Sequence, residues 1–317
     1  MKSHSRLRAT SATAMQGFTV VELMISVTIG LVLCLGFAAA LVDASANNRT
    51  NDRTTDIQTN GRSALDALRR DVMHAGYRSL TWAEPTAASI GAVTGDCANG
   101  FSANLRQGIW GANDSNPFSL TCILPANYAG GDVLVIRRVS LAPVTTLAAT
   151  TAYFRSAYER GQPFLGSAPP TFTEVPNEDR TLQVIVYYIS PYSFSAAENP
   201  KIPGLYRITL RPGPLMGNPE LVAPGVDTLQ VQFGRHTTDG NTIFQNADAV
   251  SATATSITTD PSEWDDVNSV RISILVRALT AEPGVVNTTS YTLGDKTFAP
   301  NDNFRRLAFT TTAQLRN

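Results

Sequence analysis

"MQGFTVVELMISVTIGLVLCLGFAAALVDAS", residues 15–45, decides how the rest of the chain is read. Its apolar part runs for twenty-five residues, Phe18 to Val42, and holds one ionisable side chain, Glu22. At a rise of 1.5 Å per residue such a helix spans roughly 37 Å, enough to cross a bilayer core with some tilt. A charge there costs about 2.5–3.5 kcal/mol even on a lenient insertion scale, so Glu22 needs a partner or a route to the membrane face.

Outward from that run, residues 1–17 carry Lys2, Arg6 and Arg8 and no acid, and the first charge on the other side is Asp43. This asymmetry keeps the amino end cytoplasmic and sends the remainder outward. A secretory signal has an apolar stretch of 7–15 residues with a small-residue cleavage site after it. Here the stretch is longer and Gly17 stands before it, although "LGFAAALVDASA" leaves a cut there, or an uncut single-pass anchor, as alternative readings.

"GFTVVE" resembles the class III leader of type IV pilins and pseudopilins. The resemblance implies a cut by prepilin peptidase between Gly17 and Phe18 and N-methylation of Phe18, with Glu22 as the acid at the fifth mature position. Gln16 stands where many members have Lys or Arg. Cleavage frees a positive amine at Phe18 that the Glu22 carboxylate can meet, within its own helix or on a neighbouring subunit. Leaving either charge alone in lipid is the costly alternative, so the pair would fix the axial register of one subunit on the next.

Beyond Val42 the sequence turns polar but keeps a helical period. Ile57, Leu65, Leu68, Val72 and Ala75 fall on one side, with Arg62, Asp66, Arg69 and Arg70 opposite. Asp66 and Arg70 form an i,i+4 pair. Gly61 is a weak point where a bend is expected, and "AGY" at 75–77 reads as the stop, with Gly76 as the cap residue. One continuous helix from Phe18 to Ala75 would be roughly 87 Å long. That layout resembles the long-stemmed shape of type IV pilins. "NGRSALDALRRDVMHAGY" is similar to the PilW family of minor pilins, as are the closing "DDVNSVRISILVRALT" and "FRRLAFTTTAQLRN".

After residue 80 the period shortens to 2. Strands are expected at 132–139, 182–190, 204–210, 227–234, 269–278 and 305–315, rich in β-branched and aromatic residues and separated by Gly/Pro-rich stretches. "DG" at 239–240 reads as a hairpin turn. Residues 81–130 read as a loop-rich insertion. The expected fold is α+β: a long amino-terminal helix, one half for the membrane and one half amphipathic, packed on a mostly antiparallel β-domain. The divisions are 1–17 leader, 18–42 membrane and filament-core helix, 43–77 amphipathic half, and 78–317 periplasmic domain.

Of three cysteines, Cys34 lies in the apolar run. If the polar part is exported, an oxidising compartment makes a bridge between Cys97 and Cys122 the default, worth about 3 kcal/mol by loop closure. The sequence holds no HExxH, no phosphate-binding glycine loop and no GxSxG, so no enzyme and no cofactor is expected. His74 reads as a surface or interface histidine. Two loop clusters, Glu263 with Asp265 and Asp266, and Asn113 with Asp114 and Asn116, offer Ca²⁺-type oxygens but lack EF-hand spacing and read as solvated loops. The paired Arg137-Arg138 and Arg305-Arg306 read as strand-face charges. The formal net charge is −1, and losing the leader removes three cations, so no nucleic-acid partner is expected.

The resemblance implies a non-enzymatic minor pilin of PilW type acting in pilus assembly, priming and tip-complex formation. Its partners would be prepilin peptidase, other minor pilins, the major pilin, a large tip adhesin and inner-membrane lipid. It would sit in the inner membrane with a periplasmic carboxy-terminal domain and then in the pilus at the cell surface. A minor pseudopilin of type II secretion similar to GspJ, a DNA-uptake pilin and an adhesive pilin stand as alternatives.

Overall fold

The computed structural model describes residues 17–83, 85, 90, 92–97, 101, 105–237, 239–250 and 262–316. The basic leader ahead of Gly17, Gln16 included, lies outside them, as do Asn317 and the side chain of Glu263. The chain divides into two compact units, residues 1–52 and 53–317. The single long helix, α1 (Val20–Met73), contributes its residues up to 52 to the first unit and the rest to the second.

In the first unit the helix is almost entirely apolar on every side from Val20 to Val42, with Glu22 as its one ionisable acid or base. From Phe18 to Val42 its large hydrophobic side chains are exposed, with Leu33 at 68% and Val42 at 68%. α1 is long and apolar enough to cross a membrane by length and composition. Gly30 and Gly36 do not interrupt it, and no neighbouring atom stands near either.

The second unit carries the sheets. Its strands are β1 (Ile109–Ala112), β2 (Val133–Val139), β3 (Ala152–Ala157), β4 (Arg160–Leu165), β5 (Glu178–Ser190), β6 (Gly204–Arg211), β7 (Leu215–Met216) and β8 (Glu220–Pro224) in an eight-stranded sheet, followed by β9 (Val226–His236), β10 (Thr242–Gln245), β11 (Val267–Arg277), β12 (Tyr291–Leu293), β13 (Lys296–Phe298) and β14 (Arg306–Gln314). All strand pairs are antiparallel. The long β5 is the hub: β2 lies along one edge, while β3 and then β6 share the other. The second sheet runs β10-β9-β11-β14, and β12 and β13 form a separate hairpin. The α+β class expected from the sequence is therefore observed.

Residues 53–73 of α1 lie across both sheets. The buried positions Ile57, Gly61, Ala64, Leu68, Asp71 and Val72 follow the helical period. α1 runs through Gly61 without a break. This glycine admits Phe309 of β14, whose ring atoms would stand 2.5 Å from a Cβ at this position. The helix stops at Met73, and Gly76 follows with φ 78°, the left-handed turn that glycine supplies cheaply. Gly76 N–H then donates to Arg137 O at 2.9 Å, tying the helix end to β2. Arg70 Nε donates to the Asp66 main-chain oxygen at 3.1 Å, in place of the expected side-chain ion pair.

The described residues between 81 and 130 are loop-rich, yet several of them are part of the core. Phe101, Leu105, Ile109, Trp110, Phe118 and Ile123 are buried to 2% exposure or less, and Phe101 meets Trp110 edge-on at 5.0 Å. Cys97 and Cys122 are bonded, with their Cα atoms 4.7 Å apart. The bridge closes the loop that carries these aromatic residues. Cys122→Ser is expected to lower unfolding stability by about 3 kcal/mol in the chain-entropy account. Urea titration of the oxidised full chain and the variant would read the difference, and coincident curves would contradict it.

Candidate functional site

At the head of α1, Thr19 stands one residue before the helix and Glu22 is the third residue inside it. Glu22 Oε2 accepts the Thr19 main-chain N–H at 3.1 Å and the Thr19 hydroxyl at 3.2 Å, and Thr19 Oγ1 accepts the Glu22 N–H at 3.3 Å. This is a reciprocal capping box, which satisfies two of the amide donors that open a helix and places an anion at its positive end. Gly17, Phe18, Thr19 and Glu22 line one shallow recess, and Phe18 is 84% exposed. The expected cleavage residues and the expected register residue are thus brought together. Thr19 was missed as a functional residue, although Thr-x-x-Glu ahead of an apolar run is a legible capping signal.

A second charged cluster lies where α1 meets the eight-stranded sheet. Asp71 Oδ1 accepts Arg138 Nη2 at 2.9 Å, and Asp71 Oδ2 accepts the Tyr187 hydroxyl at 2.6 Å. Burial and then Asp71 push the Tyr187 phenol well above its ordinary range, so it stays a donor. Arg207, on β6, pairs with Glu220 at 3.3 Å, and its pKa rises against burial because Tyr187 and Glu220 favour the cation. His74 Nδ1–H donates to Arg70 O at 2.8 Å.

The arginine pairs are not simple strand-face charges. Arg137 is fully buried: its Nε donates to Phe101 O at 3.1 Å, Nη1 to Gln107 O at 2.8 Å, and its guanidinium lies 4.1 Å from the Phe101 ring centre. Burial lowers its pKa to about 9. It acts as a pin that holds Phe101 and Gln107 on β2. Arg306 is also buried, between Asp227 and Asp302. Arg305 and Arg138, by contrast, form half-exposed and largely shielded pairs with Glu282 and Asp71.

The oxygen-rich loops are used internally. Asp114 pairs with Lys296 at 2.9 Å and accepts Gln230 Nε2 at 2.9 Å, while Asn116 bonds Ile123 O and Phe118 N. Asp266 pairs with Arg235 at 2.9 Å. Among the described residues no three His, Cys, Asp or Glu side chains are grouped to hold a metal.

Asp132 sits beside this loop, buried, accepting Asp114 N–H at 2.9 Å and Val231 N–H at 2.6 Å. Burial raises its pKa from 3.8 to about 7, outweighing those two hydrogen bonds. The unfolded chain releases this proton near pH 4, whereas the folded chain holds it to about pH 7. The folded state therefore binds more protons across that window, and stability falls as pH rises through it. Carboxyls held low, such as Glu198 and Asp302, act below about pH 4.5, while Asp227, also raised by burial, adds to the fall in the same direction. The urea midpoint is expected to fall between pH 5 and 8, and Asp132→Asn to flatten that slope while lowering the whole curve. Parallel slopes would assign the effect elsewhere.

The family model described as "PilW: Type IV Pilus-assembly protein W" matches residues 186–317. These contain the last five residues of β5 and every strand after it. No curated relative matches the chain. Among solved structures, a type IV-like pilin from Thermus thermophilus is similar at 12% identity and a TM-score of 0.36, over 84% of this chain and 96% of that one. The family match supports a pilus-related protein with a structural role, interacting with other pilus components, and the exposed apolar helix fits anchoring in a membrane.

Proposed function

We propose that the chain is a minor pilin of PilW type. It is made as an inner-membrane protein with its β-domain in the periplasm and is cut between Gly17 and Phe18 by prepilin peptidase. Methylated on Phe18, it is then drawn into a type IV pilus. It has no chemistry of its own. Its work is packing of the Phe18–Val42 helix among the corresponding helices of other minor pilins and the major pilin, in a priming complex that carries a large adhesin at the tip.

One observation carries the reading: an exposed Gly17-Phe18 and a capped carboxylate head an exposed apolar helix, in a chain whose carboxy-terminal part matches a pilus-assembly family. Uncut, Glu22 is held by Thr19. Cutting places a cationic amine one residue from Thr19, within reach of that carboxylate or of a neighbour's. Two unlike charges meeting in a dry interface keep each other from being stranded there, and so fix axial register.

The test is the mass of the amino-terminal peptide of protein recovered from membranes and from sheared filaments. Loss of residues 1–17 with one added methyl on Phe18 is the expected result. An intact start, or a cut beyond Val42, would overturn the proposal.

A further inference from the structure

The cluster around Asp71 has a surplus of cations. Two adjoining cavities of about 300 and 340 Å³ share Asp71, Arg138 and Arg207 in their walls. The second adds Arg70 and His74. Three guanidiniums thus line cavities whose walls hold one carboxylate, Asp71, with Glu220 paired to Arg207 from outside them, and Asp71 is already bonded on both oxygens, by Arg138 and by Tyr187.

A guanidinium carries five N–H donors. Arg138 uses Nη2 on Asp71 and leaves a buried Nε without a hydrogen-bond partner among the described residues. Arg70 uses Nε on the Asp66 carbonyl. Arg207 is held in place by Glu220 and Tyr187 yet remains 41% exposed. Donors are therefore left over, and the side chains that carry them are positioned in advance. The Gln183 amide and the Thr209 hydroxyl add neutral donors, and Leu210 and Leu141 add apolar wall.

We propose that this groove is a docking slot for a glutamate side chain on an extended acidic segment of a partner protein. The methylenes lie on Leu210 and Leu141, and the carboxylate takes charge-assisted bonds from Arg138 and Arg207, with Arg70 at the rim. A carboxylate suits the slot better than a phosphate, because the central Asp71 repels a dianion more strongly than a monoanion. The cavity volume matches one side chain and not a nucleic-acid backbone. Pre-positioned arginines also lower the ordering cost of binding. The slot rests on the pilus reading only for its setting, where partners are other filament components.

The experiment uses the full chain in a neutral detergent and fluorescence anisotropy with a labelled Ser/Thr-rich octapeptide bearing two glutamates. Its glutamine counterpart and a single-stranded DNA octamer serve as competing probes. Salt-sensitive binding of the glutamate peptide is expected, with the glutamine peptide at least tenfold weaker. Arg70→Gln combined with Arg207→Gln should lower affinity at least tenfold with the far-UV circular dichroism unchanged. Gln183→Glu, which keeps every arginine and puts a carboxylate in the slot, should do the same. Equal binding of the two peptides, undiminished binding by Gln183→Glu, tighter binding of the DNA, or no binding at all would overturn the slot. A correctly cut and methylated Phe18 alongside any of these results would leave the pilus reading standing, and an intact leader with peptide binding would do the reverse.

Discussion

Glu22→Ala is expected to remove the protein from sheared filaments, by tenfold or more, while its cut and its membrane insertion proceed. The substitution relieves the cost of a charge in a membrane helix, about 2.5–3.5 kcal/mol at its centre and less near its start, so insertion does not suffer. It also deletes the capping box with Thr19, a loss of about 1 kcal/mol to the first helical turn. What it removes for assembly is larger: the amine of Phe18, buried in a filament without its counter-charge, is stranded in a dry interface. Glu22→Gln separates the two roles. The amide oxygen still accepts from Thr19, yet it carries no charge, so the variant should keep the cap and fail in assembly as the alanine does. Comparing each variant's level in membranes and in the sheared fraction checks this. Wild-type levels of Glu22→Ala in filaments would remove register pairing from the mechanism, and wild-type levels of Glu22→Gln would leave only the cap.

Large parts of this molecule are written in local pattern. The apolar run from Phe18 to Val42 and the stripe on Ile57, Leu68 and Val72 each announce helix by period. β2, β5, β6, β9, β11 and β14 were all expected within a few residues, because each carries an alternating or continuous run rich in apolar, β-branched or aromatic residues. The hairpin of β3 and β4 was not. Its turn, Tyr158-Glu159, lacks glycine and asparagine, and Pro163 speaks against a strand. The fold accommodates that proline because β4 is an edge, paired only with β3. Residues 81–130 hid their place in the core for another reason. Phe101, Trp110 and Phe118 are irregularly spaced, and it is the Cys97–Cys122 bond and the Arg137 pin, both long-range, that gather them.

The charged sites show the same division. Glu22 was conspicuous because it is alone in a hydrocarbon run. Asp71 was not, because it lies beside Arg69 and Arg70 and reads as one more polar residue on a solvated face. Only packing turns it inward, where Arg138 and Tyr187 meet it. Arg306 was obscured in the same way, since a strand-face arginine and a buried one look alike until the partner two strands away is known.

That partner sets the second large effect. Asp227 on β9, Arg277 at the end of β11 and Arg306 at the start of β14 sit side by side, with Arg277 directly opposite Arg306 in the ladder. Arg306 Nε donates to Asp227 Oδ2 at 2.5 Å and Arg277 Nε lies 3.5 Å from Oδ1. Asp302 takes the outer face of Arg306 at 2.5 and 2.7 Å, and Arg277 also donates to Lys201 O and lies 4.3 Å from the Phe304 ring centre. Three strands are joined through one carboxylate. Asp227→Ala leaves two cations shielded from water with one fewer anion between them, and breaking a buried pair from one side costs about 3–5 kcal/mol. Arg306 keeps Asp302, so the effect belongs near the lower end of that range. Replacing the set together, as Asp227→Leu with Arg277→Met and Arg306→Met, strands no buried charge, because Asp302 is 32% exposed and can return to water. The triple variant should therefore be more stable than Asp227→Ala alone, although it changes three residues. Urea unfolding of the full chain in detergent would rank the two. If the triple variant proved the weaker, the ion network would be a net source of stability and not a set of charges that must be removed together or not at all.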